Sequence, residues 1–304
     1  MKILVTGGMG FIGSNITERL VRDDHDVTIL DNMHTGSEDN IAEIKDRIEF
    51  VKGNAGDLGK IKTDRKFDAI FHEGIYSSTP MYRADPTLTA KAIADFISIL
   101  EYAKKNEAKV VWASTSSIYN GNSPPHREDM PVHVTDFYTE ARFEMERLAK
   151  LYSDLYSVRS VGLRYFSVYG PHERAKGKYA NLITQFLWCM QDGKKPIIFG
   201  DGKQTRDFTY VDDVVDANML ALRYNKTDIF NVGTGRSITI NEMVALLNVA
   251  LKTNLSPVYE QNKIKNYVQH TCAETRKAES HLGFKARVSL EDGIKRIIDY
   301  YRKV

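Results

Sequence analysis

An α/β architecture, a doubly wound parallel sheet with a smaller C-terminal lobe, follows from three features of the 304-residue chain. Short apolar runs bounded by turns alternate with longer stretches of helical period, the pattern of successive βαβ units. A glycine-rich turn joins the first apolar run to the first helical stretch, as in Rossmann-type folds. The alternation then weakens after Pro171, where a different packing must begin.

Taken in order, strands are expected at residues 3–5, 27–30, 48–51, 69–71, 110–112 and 160–163, with helices over 11–21, 90–105 and 136–155. A basic, glycine-bearing loop at 172–178 precedes an apolar helix at 182–190 and a turn-rich segment at 200–206. Thr239 with Glu242 three residues on predicts a capping box, and residues 290–301 an amphipathic final helix. No repeat or low-complexity linker separates the parts. The expected division is a Rossmann domain over 1–165 with a returning segment near 194–234, and a second lobe from 166–193 and 235–304.

Composition narrows the function. Forty-two basic and 40 acidic residues leave a net charge of +2, too even for a nucleic-acid footprint or a polybasic membrane anchor. The uncharged stretch from Ile3 to Ile16 is broken by Gly7, Gly8, Gly10 and Gly13 and no small-residue cleavage site follows, so no signal peptide is expected there. Two widely separated cysteines, Cys189 and Cys272, offer neither a disulfide framework nor a zinc site and fit a reducing cytoplasm. No metal is expected.

Two constellations carry chemistry. Gly8-Met9-Gly10-Phe11-Ile12-Gly13, preceded by Thr6-Gly7, places a G-x-G-x-x-G turn directly between a strand and a helix. Its glycines let peptide N–H groups approach a diphosphate at the helix N-terminus. Asp31, 18 residues past Gly13, closes the second strand where a carboxylate accepts from an adenosine ribose. It would repel a 2′-phosphate, and no Arg or Lys follows within 32–37, so the expected cofactor is NAD rather than NADP. Separately, the fifth strand ends in a hydroxyl cluster from Ser114 to Ser117, and Tyr138 and Arg142 lie one helical turn apart. A fixed cation beside a phenol favours the phenolate, the form that accepts a proton. Taken alone, the cluster also reads as a cap and the pair as an ordinary helix face.

With Phe71-His72-Glu73-Gly74, residues 163–171, Arg206-Asp207-Phe208 and Phe230-Asn231-Val232-Gly233 added in order, the chain resembles the extended short-chain dehydrogenase/reductase family, specifically its NAD-dependent sugar-nucleotide epimerases and dehydratases. The resemblance implies that NAD contacts Gly7, Gly10, Phe11, Ile12, Gly13, Asp31, Asn32, Glu73, Gly74, Ile75, Ser77, Tyr138, Arg142 and Phe166. It assigns substrate contacts to Ser77, Ser78, Thr115, Ser167, Lys176, Arg206 and Tyr267. Thr115 would bond the reacting sugar hydroxyl, Tyr138 act as general acid–base, and Arg206 hold the substrate diphosphate. Residues 71–79, Lys176-Gly177 and Asn266-Tyr267 look most like heptose 6-epimerases, in which the lysine at the place of Lys176 is a second acid–base; a loop lysine that only contacts phosphate is the other reading.

Three departures from the family pattern stand out: Arg142 replaces a lysine, Ser167 an asparagine and Asn54 an aspartate. The implied reaction is nucleotide-sugar epimerisation of the UDP-glucose/galactose 4-epimerase type, through transient oxidation to a keto intermediate. Heptose 6-epimerisation, reduction and a non-catalytic NAD-binding regulator are the alternatives. Dehydration would need an Asp-Glu pair where Ser116 and Ser117 stand. The resemblance further implies a cytoplasmic homodimer paired through the helix before Tyr119 and the helix bearing Tyr138.

Overall fold

The computed structural model describes residues 1–60 and 66–303. The six expected strands all form: β1 (Lys2–Thr6), β2 (Asp26–Asp31), β3 (Ile48–Lys52), β4 (Ala69–His72), β5 (Lys109–Thr115) and β6 (Ser160–Tyr165). Further along come the short β7 (Val168–Tyr169), β8 (Ile197–Phe199), β9 (Thr205–Arg206) and β10 (Thr209–Tyr210), then β11 (Asp228–Val232), β12 (Ile238–Thr239) and β13 (Val258–Glu260). Seven strands make one all-parallel sheet in the order β11-β6-β5-β4-β1-β2-β3. The order reverses between β1 and β4, which opens a crevice beyond their carboxyl ends.

Both sheet faces are covered, so the central strands are apolar without interruption. Alternate side chains divide between two cores. Ile3, Val5, Phe71, Val111 and Leu163 face Ile16 and Leu20 of α1 (Phe11–Arg22) and Val214 of α6 (Val211–Arg223). Leu4, Ile70, Val110 and Trp112 face Phe96 and Ile99 of α3 (Leu88–Asn106) and Met145 and Ala149 of α4 (Phe137–Tyr156). A six-residue helix, α2 (Thr79–Ala84), bridges β4 and α3.

A further core gathers the later helices. Ile183, Phe186 and Leu187 of α5 (Leu182–Gln191) meet Met243 and Leu247 of α7 (Ile240–Leu251) and Ile294 and Ile297 of α8 (Leu290–Tyr301). The Thr239 capping box forms as expected, with Thr239 Oγ1 and the Glu242 carboxylate satisfying each other's backbone N–H groups.

The structure adds elements that the sequence reading left irregular. Residues 172–178, expected as a loop, include the start of tight helical turns over Arg174–Tyr179, interrupted at Gly177 with φ +50. The turn-rich segment ends in β9, paired with β12. Helix α6 and strand β11 complete the sheet on the β6 side. Helix α6 starts at Tyr210 without a capping side chain, and Asp212, Asp213, Asp216 and Asn218 interrupt its apolar run, so its usual start signal is missing.

Candidate active site

The glycine turn lies at the crevice. Gly7 adopts φ +70, and a Cβ there would sit 2.5 Å from Gly74 N. A Cβ on Gly13 would sit 2.1 Å from Gly7 O, so α1 can seat this close to the turn only because position 13 has no side chain. Gly10 caps α1 with no side-chain hydrogen bond, leaving the helix's first N–H groups to a ligand. Asp31 is buried at the end of β2; Oδ2 accepts from Met9 N at 2.9 Å and Oδ1 from Met33 N at 2.7 Å. Both oxygens keep a further lone pair for ribose hydroxyls. Asn32 donates to Asn54 Oδ1 at 3.0 Å, and Asn54 in turn donates to Asp57, so the Asn54 amide is clamped on both sides.

Two adjoining cavities follow the crevice. The smaller, about 70 Å³, is lined by Asp31, Asn32, Asn54 and Gly74. The larger, about 310 Å³, brings together Phe11, Ile12, Gly13, Ser78, Thr115, Tyr138, Arg142, Ser167 and Lys176. Gly7, Gly10, Glu73, Ile75 and Ser77 line both, so the two form one trough. A cradle without side chains, a free helix N-terminus and an acid at the far end fit an extended dinucleotide.

Each group in the larger cavity is placed by a different element. Thr115 ends β5 and caps the turn that follows, accepting from Ser117 N at 3.1 Å. Tyr138 and Arg142 come from the first turns of α4, started by Asp136, whose Oδ1 accepts from Thr139 N. The Arg142 guanidinium lies 5.1 Å from the Tyr138 ring centre. It is 2 % exposed, donates to Tyr76 O at 2.9 Å and Ala113 O at 3.4 Å, and its Nε is buried without a hydrogen-bond partner among the described residues. Lys176 reaches in from the 174–179 turns with Nζ 5.4 Å from the Phe11 ring centre. Burial lowers its pKa, and the Glu173 carboxylate opposes that shift. Behind the cavity, Arg164 of β6 grips Glu146 of α4 at 2.9 and 2.6 Å, while Ser114 Oγ donates to Glu146 rather than turning toward a ligand.

Three expected contacts lie elsewhere. Phe166 has no exposed surface and packs with Ile118, Tyr119 and Ala273, because the chain turns its side chain to the opposite side from Tyr165 and Ser167. Its side chain does not line the trough. Arg206 and Tyr267 also stand outside both cavities, stacked on each other at 5.2 Å. The Arg206 guanidinium donates to Val268 O and Gln269 O; among the described residues no carboxylate pairs with it. The acids near it in sequence are engaged elsewhere, Asp207 with the backbone of 234–235 and 273 and Asp201 with Lys203. Sequence reasoning missed Thr35, Thr79, Tyr165, Tyr179 and Asn181, which also line the larger cavity. Only Tyr165 carried a signal, its place at the end of a strand. No three His, Cys, Asp or Glu side chains gather as metal ligands among the described residues, and no described helix is long and apolar enough to cross a membrane.

This geometry agrees with what the chain is similar to. The profile of the "NAD dependent epimerase/dehydratase family" matches residues 3–233. A putative UDP-glucose 4-epimerase of Methanocaldococcus jannaschii is 34% identical, over 99% of this chain and 98% of that protein. The UDP-glucose 4-epimerase of Thermotoga maritima, solved with UDP-glucose, superposes with a TM-score of 0.94 at 31% identity, covering 100% and 99% of the two chains. The ADP-L-glycero-D-manno-heptose-6-epimerase of Helicobacter pylori gives 0.90 at 28% identity, covering 100% and 96%. With its seven-stranded sheet, its glycine cradle and its strand-end trough, the chain belongs to the NAD-dependent epimerase/dehydratase family, and its cofactor is NAD.

Proposed function

We propose that the protein epimerises a nucleotide-diphosphate sugar of the UDP-glucose/UDP-galactose type. The observation that carries this reading is that Thr115, Tyr138 and the glycine cradle line a single cavity, with a fixed cation against the phenol. Bound NAD supplies a reversible hydride acceptor. The chain's own residues do the rest. Tyr138 takes the proton of the sugar hydroxyl as that carbon is oxidised and gives it back to the same oxygen when the carbon is reduced from its other face, and Thr115 holds that oxygen by a hydrogen bond. Arg142 keeps positive charge beside the phenol and ties the wall at Tyr76 to β5. Arg206, a cation without a carboxylate partner among the described residues, takes the substrate diphosphate outside the reacting cavity. The cofactor lies along Asp31, Asn32 and Gly74 to Ile75 and Ser77, in the domain of residues 1–165 with 194–234. Ser78, Ser167 and Tyr267 contact the substrate, with residues 166–193 and 235–304 forming its lobe.

A heptose-type 6-epimerisation is the second reading, favoured by Lys176, whose placement in the same cavity suits a second acid–base. Dehydration is disfavoured because Ser116 and Ser117 bring no carboxylate to that cavity. The test is incubation with UDP-, ADP-, GDP- and dTDP-sugars and separation of the products. Interconversion of UDP-glucose and UDP-galactose without net consumption of NAD is expected; net reduction of added NAD, or an ADP-heptose as the sole substrate turned over, would replace this reading.

A further inference from the structure

We propose that Glu73 couples NAD retention to pH: as a neutral carboxylic acid it donates a hydrogen bond to the cofactor diphosphate, and as a carboxylate it repels it. The inference rests on the glycine turn being the diphosphate seat.

Glu73 immediately follows β4, and its N–H donates to Thr6 O at 3.1 Å, which pins it beside the end of β1. The approach is close: a Cβ on Gly7 would lie 2.8 Å from the Glu73 carbonyl carbon. Glu73 lines both cavities at the waist they share with Gly7 and Gly10, between the adenosine end and the reacting end. An anionic side chain there faces an anionic ligand, an arrangement that electrostatics penalises strongly away from bulk water.

One oxygen is already committed. Tyr165 donates to Oε1 at 2.9 Å, and its hydroxyl accepts from Asn218 Nδ2 at 2.9 Å, which orients that donation. Oε2 makes no hydrogen bond to any described residue and is the oxygen left to carry a proton. Burial pushes Glu73 up to about 8, against the opposing effects of the Tyr165 hydrogen bond and Arg142. The surrounding groups leave the proton there. His72 on the same strand is pushed down to about 3 by burial and is neutral, bonded to Thr6. Tyr165 on β6 is held well above its usual value by burial. From α4, Tyr138 lines the same cavity and the Arg142 guanidinium is bonded to backbone carbonyls instead of to Glu73; Tyr76 follows on the β4 loop, and Lys176 enters from the lobe. The glycine turn itself brings no titratable group.

The sign follows. A group neutral below about 8 binds the diphosphate best there, and affinity falls as pH rises through that value. Calorimetric titration of the full chain, freed of nucleotide, with NAD at pH 7 and pH 9 reads this directly, since the NAD diphosphate stays fully ionised throughout. We expect about a tenfold weaker Kd at pH 9, with uptake of close to one proton per NAD at pH 9 and almost none at pH 7 in buffers of differing ionisation enthalpy. ADP-ribose, which has the diphosphate and no nicotinamide, should share the dependence. Glu73→Gln should abolish both the dependence and the proton uptake, whereas Lys176→Met should keep them. An unchanged wild-type Kd without proton uptake overturns the proposal while leaving the glycine-turn reading intact. So does a dependence that survives in Glu73→Gln, disappears in Lys176→Met or is missing with ADP-ribose. Absence of NAD binding at either pH overturns both.

Discussion

Arg142 illustrates how one residue can keep a charge and change its attachments. A lysine at this position would present a compact ammonium on a flexible stem; the guanidinium instead spans two carbonyls, Tyr76 O in the loop after β4 and Ala113 O of the neighbouring β5. Arg142→Lys should therefore retain charge but loosen the wall, giving partial turnover, and Arg142→Ala should lose at least tenfold in kcat, on the scale of positioned acid–base catalysis. Steady-state kinetics with the accepted sugar nucleotide, alongside NAD titration, separates the two effects. Tyr138→Phe keeps the ring that packs against Tyr82 and removes only the hydroxyl. It should preserve melting temperature and NAD binding while lowering kcat by roughly a hundredfold or more; parent-level turnover would take proton transfer away from Tyr138. Asp31 makes a third test. With its oxygens engaged by Met9 N and Met33 N, the carboxylate cannot swing away from a 2′-phosphate without breaking both bonds. NAD should raise the melting temperature well above any effect of equimolar NADP, and an equal shift would contradict that assignment.

At the scale of elements, the active site stands on the seam between α4 and β6. Helix α4 carries Tyr138 and Arg142 on its first turns, and one turn beyond Arg142 its Glu146 makes a double hydrogen bond to Arg164 of β6, both side chains at least nine-tenths buried. Arg164 also donates to Tyr119 Oη at 2.6 Å, whose hydroxyl reaches Asn231 of β11 at 2.7 Å. Glu146→Ala would leave a buried guanidinium unpaired and should cost about 3–5 kcal/mol in denaturant unfolding. Glu146→Gln, which keeps one acceptor, should cost less. A loss below about 1 kcal/mol for the alanine variant would mean that water replaces the carboxylate. Little of this seam was legible in the sequence. Glu146 and Arg164 lie 18 residues apart on elements of different period, and nothing local pairs them. The first strands and α1, in contrast, were readable because their apolar runs are bounded by glycine and charge at each end. The third strand was readable too, although it lies at the sheet edge.

For the whole molecule, the outer face of α4 bears a row at helical spacing, Phe143, Arg147, Leu151 and Leu155, in which Leu151 and Leu155 are 49% and 60% exposed. Ile97 of α3, which packs beside α4, is also exposed. We propose that this face pairs with a second copy. Light scattering should give twice the 34.6 kDa chain mass for the parent and the monomer mass for Leu151→Glu with Leu155→Glu; a monomeric parent would refute the pairing. What the sequence determined by itself was the local order: which segments alternate, where the glycine turn meets a helix, and which hydroxyl, phenol and acid belong near it, since period, capping and backbone freedom are properties of neighbouring residues. The tertiary structure decided what depends on distance through space. It turned Phe166 away from the trough, set Arg206 against Tyr267, joined Arg142 to the Tyr76 wall, and brought Glu73 from the fourth strand against the glycine turn of the first. Parallel strands far apart in the chain become neighbours only when the sheet closes, and only then do burial and charge at those positions acquire the values on which the chemistry depends.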